Sequence, residues 1–92
     1  MEVAELFEAL LELSQQAGLE IRVVGRRVAG EAELPATSGI CRVRGAVWVV
    51  LSPHDPPEAH VDLLVRALRD HAAEFISSRY LPPALRERLE AV

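Results

Sequence analysis

Lysine and asparagine are missing from this chain of 92 residues, and cysteine, methionine, tryptophan and tyrosine occur once each. Every one of its ten basic residues is arginine. Loss of Lys and Asn codons fits GC-rich coding DNA better than thermal adaptation. One cysteine, Cys41, excludes an intrachain disulfide, and the first residues carry acidic Glu2 and Glu5 where a secretory signal needs basic ones. A reducing, cytoplasmic setting is therefore the expectation. The longest apolar run, Ala46 to Leu51, falls far short of the twenty or so residues that cross a bilayer, so no membrane span is expected. With only Phe7, Trp48, Phe75 and Tyr80 as aromatics, the core must be built from Leu, Val and Ala.

Half of the residues are apolar and about a quarter charged, which is the composition of a folded domain and excludes a disordered tail. Ninety-two residues allow one hydrophobic core, and residues 1–92 read as a single domain. The net charge of −4 is unevenly spread. Residues 1–20 hold Glu without Arg, the middle of the chain is basic, and the last part is mildly acidic.

Local patterns give the element order. Val3, Leu6, Phe7, Leu10, Leu13 and Ala17 repeat at helical spacing with Glu2, Glu5, Glu8 and Glu12 opposite, and Gly18 supplies the stop. Residues 19–24 read as a strand around Arg22, and residues 25–39 as a long loop with Gly30, Pro35 and a Thr37-Ser38-Gly39 cluster. Residues 40–43 and 46–51 flank Arg44-Gly45 as a hairpin with Gly at a positive-φ position. A two-residue turn sets Cys41 across from Trp48, whereas a bulged turn exchanges the faces. After Pro53, Asp55 reads as the cap of a second helix, with Glu58 completing a capping box and the prolines in the first turn. Val61, Leu64, Val65, Leu68, Ala72, Phe75 and Ile76 form its stripe, Asp62, Arg66 and Asp70 a charge ladder, and Ser77-Ser78 its end. Tyr80-Leu81-Pro82-Pro83 opens a last helix through Leu85 and Leu89, with Arg86 and Glu90 paired. The expected architecture is α+β, in the order α-β-β-β-α-α. A three-stranded, mostly antiparallel sheet carries helices on one face, and the last helix closes an edge.

Catalytic and metal constellations do not assemble from these residues. His60 and His71 lie eleven apart on one helix, about 16 Å at 1.5 Å per residue, too far to share an ion. Neither His71 with Glu74 nor His54 with Asp55 and Glu58 gathers three ligands on one ion without help from elsewhere in the chain. Cys41 sits among Ile40 and Val43 as a packed thiol, and the glycines match neither phosphate-binding pattern. No catalytic residue, metal or cofactor is expected.

Two surfaces carry more promise. Arg22, Arg26, Arg27, Arg42 and Arg44 form one basic patch if the first strand lies beside the hairpin, and such a patch would hold nucleic acid or a phosphate ligand. Sheet aromatics are few and the pI is near 5.3, so pairing with acidic side chains is the favoured role and nucleic acid is not the favoured partner. Strand 46–51 is apolar on both faces, and one helical layer covers only one of them. Val47, Trp48, Val49 and Val50 are therefore the interface candidates, with a homodimer or another protein as the expected occupant.

The run Gly39-Ile40-Cys41-Arg42-Val43-Arg44-Gly45 and the tail Tyr80-Leu81-Pro82-Pro83-Ala84-Leu85-Arg86 resemble a family of small uncharacterised bacterial proteins of about this length. The order helix, strand, hairpin, long helix is also similar to the core of zincin-type metallopeptidases. Their His-Glu-x-x-His would fall at Arg66-Ala67-Leu68-Arg69-Asp70, where every zinc ligand is missing. That likeness implies at most a degenerate, metal-free relative. The leading expectation is a non-catalytic protein-interaction or self-association module.

Overall fold

A computed structural model describes residues 2–23, 39–53 and 55–90. Seven elements follow in chain order: α1 (Val3–Gln16), β1 (Glu20–Val23), β2 (Gly39–Val43), β3 (Ala46–Leu51), α2 (Pro57–His71), α3 (Ala73–Ser77) and α4 (Pro83–Glu90). The expected loop 25–39 lies outside the described residues except for Gly39, which begins β2.

Helix α1 ends as its glycine requires. Gly18 has φ 89°, a conformation that costs an L side chain strain, and it lets two amides turn back onto the last turn. Gly18 N–H donates to the Gln15 carbonyl at 3.1 Å and Leu19 N–H to the Ser14 carbonyl at 3.0 Å, the paired bonds of a Schellman motif. Leu10 and Leu13 are buried against the core while Glu2, Glu5, Glu8 and Glu12 face outward. Ser14, also buried, donates its hydroxyl to the Leu10 carbonyl at 2.7 Å and so carries no unpaired polar atom inward.

The hairpin closes through a two-residue turn. Arg44 (φ 51°) and Gly45 (φ 82°) both occupy the left-handed region, which is the signature of a type I′ turn, and Val43 pairs with Ala46. Cys41 then pairs with Trp48, and Ile40 with Val49. On its other side β3 pairs with β1 in parallel, with Ile21 opposite Val49 and Val23 opposite Leu51. The sheet is therefore mixed, in the order β1-β3-β2, where the hairpin alone had suggested a mostly antiparallel arrangement. A parallel neighbour requires a connection of a dozen or more residues, and the chain between Val23 and Ala46, which includes β2, has that length.

Helix α2 starts one residue later than a capping box would place it. Pro57 takes the first helical position and holds Pro56, the N-cap, extended at φ −66°, ψ 153°, and Pro56 itself supplies no side-chain cap. The N-cap is therefore Pro56 and not Asp55. Its stripe packs as expected: Val61, Leu64, Val65 and Leu68 are buried together with Ala67. The helix breaks at Ala72 (φ −141°, ψ 32°) and resumes as the short α3, a break that no residue nearby marks. Helix α4 buries Leu85 and Leu89 against α2 and α1 and leaves the sheet edge untouched, so its expected place at an edge is corrected to the helical layer.

Side chains alternate along each strand, so Ile21, Ile40, Val47, Val49 and Leu51 share one face, and all of them belong to the cluster built with α1, α2 and α4. Each fully buried Leu or Val contributes on the order of 1.5–3 kcal/mol. The helical layer thus fastens to one side of the sheet. Among the described residues no helix is long and apolar enough to cross a membrane.

Candidate functional site

The opposite side of the sheet follows from the same register. Val43 and Ala46 form its first row, Glu20, Trp48 and Cys41 its second, and Arg22, Val50 and Gly39 its third. Val43, Ala46, Trp48 and Cys41 are all half-buried, and none of them belongs to the helix-facing core. A Cβ built on Gly39 would meet no atom within 4 Å, so there is space for a side chain at that position.

The β1 flank of this surface is polar. The Arg22 guanidinium lies 4.9 Å from the centroid of the Trp48 ring and pairs with Glu20 at 3.3 Å. Both charged side chains remain half-exposed, so the ion pair contributes little and the stacking about 0.5–1 kcal/mol. Its main effect is positional: the guanidinium lies over the indole ring. Nothing in the local pattern of β1 shows this contact, because it depends on the parallel pairing of two strands distant in sequence.

The four interface candidates now separate. Val49 and Val50 are both 0% exposed, so neither presents a surface to a partner. Val49 lies in the helix-facing core, whereas Val50 is buried on the other face. Val47 is half-buried against the helices, and Trp48 is the member of the set that is only partly buried on the face away from them.

Among the described residues the basic set does not come together. Strands β1 and β2 flank β3 on opposite sides, and Arg22 and Arg42 lie on opposite faces, since Arg22 shares a face with Val50 and Arg42 with Val47. Arg44 stands exposed in the hairpin turn, while Arg26 and Arg27 lie outside the described residues.

The histidines are no closer to a metal site. The His60 ring donates from Nε2 to the Ser52 carbonyl at 2.6 Å and lies 5.9 Å from the ring of Phe7. That bond fixes the start of α2 to the end of β3. His71 is exposed at the end of α2, and His54 lies outside the described residues. Among the described residues, no three His, Cys, Asp or Glu side chains gather closely enough to hold a metal ion. At the positions where a zincin helix would carry its ligands, Arg66 and Asp70 pair with each other at 3.7 Å on the outer side of α2.

One further concavity, of about 160 Å³, lies between α3 and α4, lined by Ala73, Ile76, Leu81, Arg86 and Leu89 among others. Arg86 and Glu90 pair across its rim at 3.6 Å. It holds no cluster of reactive groups. No family model, curated protein or solved structure matches the chain.

Proposed function

We propose that this protein is a non-catalytic interaction module that binds a protein surface, a second copy included, through the open face of its sheet. The observation that supports this reading is the set of Trp48, Cys41, Val43 and Ala46, apolar side chains that are only partly buried on the side of the sheet away from the helical layer. Aromatic side chains at the centre of such a patch, ringed by an ion pair like Glu20–Arg22, match the anatomy of protein interfaces. The free thiol of Cys41 suits a reducing compartment such as the cytoplasm.

Trp48 is the sole tryptophan, so its emission reports the state of this face directly. Light scattering on the order of tens of micromolar should give a mass above that of one chain, with Trp48 emission shifting to the blue as concentration rises. A strict monomer with concentration-independent emission, and no protein recovered in pull-downs, overturns the reading.

A further inference from the structure

The outer backbone groups of β2 follow from its turn. A two-residue turn makes Val43 and Ala46 a hydrogen-bonded pair, and the alternation of an antiparallel ladder then makes Cys41–Trp48 and Gly39–Val50 hydrogen-bonded as well. Ile40 and Arg42 occupy the intervening positions, so their N–H and C=O groups point away from β3. Among the described residues no backbone hydrogen bond reaches them. The other edge is better guarded: two of the four residues of β1 are charged, and α1 leans on it.

We infer that β2 pairs with β2 of a second copy, antiparallel about a two-fold axis at Cys41, to give one six-stranded sheet. This rests on the reading of the open face as an interaction surface, because a two-fold axis perpendicular to the sheet lays the two open faces side by side. Three registers keep the outward groups of Ile40 or Arg42 paired under two-fold symmetry. Centred on Arg42, the two guanidinium groups stand directly opposite, which is unfavourable. Centred on Ile40, the outward groups of Arg42 fall beyond the strand and lose their partner. Centred on Cys41, Ile40 faces Arg42 of the second copy twice over, and the whole of Gly39–Val43 is used. Val43 then stands opposite Gly39 of the second copy, where there is open space for it.

This register sets the two Cys41 residues opposite each other as a non-hydrogen-bonded pair, with Cα atoms about 4.5 Å apart, inside the range of a disulfide. Oxidation of the full chain by diamide tests it. Two thiols lose two protons and two electrons to the diazene and form one S–S bond. A non-reducing gel should show twice the 10.1 kDa chain mass for the wild type. Cys41→Ser/Arg42→Cys alone should not cross-link, but should do so when mixed with Cys41→Ser/Ile40→Cys. Arg42→Pro removes the outward N–H at an exposed edge position and two symmetry-related bonds, so association should weaken about thirtyfold, while Arg42→Ala retains it. A dimer that survives Arg42→Pro, or that cross-links at Arg42→Cys and not at Cys41, overturns the edge pairing and leaves the open-face reading standing. A monomer with no Cys41 cross-link overturns both.

Discussion

The two sides of strand β3 carry nearly the same chemistry and meet different fates. Val49 and Leu51 on one side are fully buried in the core that the helices build, while Ala46 and Trp48 on the other are only partly buried. A pattern of apolar residues on both faces announces how much surface must be covered, and says nothing about what covers it. The difference also shows that burial alone does not separate the sides. Val50 is as buried as Val49 although it stands on the face without the helical layer.

Placing one carboxylate on each side is the sharpest way to break this comparison. Val49→Asp puts an unpaired charge in a fully buried site and should cost more than about 4 kcal/mol, leaving the chain unfolded by circular dichroism at room temperature. Trp48→Asp should keep the helical signal, lose the Arg22 stacking and abolish association in light scattering. Equal unfolding by the two would mean that the open face is structurally part of the core.

A milder probe of the sealed side is Leu64→Ala, which removes a side chain with no exposed surface from the helix that packs over the sheet. Chemical denaturation should register a loss of about 3 kcal/mol. The smallest effects belong to the turn that joins β2 to β3. Gly45→Ala, at φ 82°, should cost about 1 kcal/mol, and Arg44→Asn, at φ 51°, should gain about 0.5 kcal/mol because Asn accepts the left-handed region more readily than Arg. Thermal melts of the two variants, moving in opposite directions, would check the turn type and through it the outward direction of Ile40 and Arg42.

Much of the fold was legible because it is set by short-range rules. The stripe of Leu10 and Leu13, the Gly18 stop, the Arg44-Gly45 turn and the prolines before α2 each act within a few residues, and each lies where its pattern indicates. The charge ladder marks where that legibility ends. Arg66 pairs with Asp70 one turn away, but Asp62 is taken by Arg88 of α4, a partner 26 positions distant. The N-cap moved from Asp55 to Pro56 for a local reason, the extended backbone that Pro57 imposes on Pro56.

The candidate surface was half legible. Trp48 and the apolar strand stood out from composition, yet the choice among Val47, Trp48, Val49 and Val50 needed the register and the position of the helices. The grouping of Arg22 with Arg42 failed for the same reason. Strand order inserts β3 between them and side-chain alternation turns them to opposite faces.

By itself, the sequence determined a single α+β domain, its element order apart from the break at Ala72, the hairpin and the amphipathic faces of α1 and α2, because periodicity, glycine and proline act on neighbouring residues. Only the tertiary structure decided the parallel pairing of β1, the side of the sheet that the helices occupy, and the isolation of Trp48 and Cys41 on the other. Those outcomes depend on which distant segments bury one another most completely, a property of the whole chain that no local window contains.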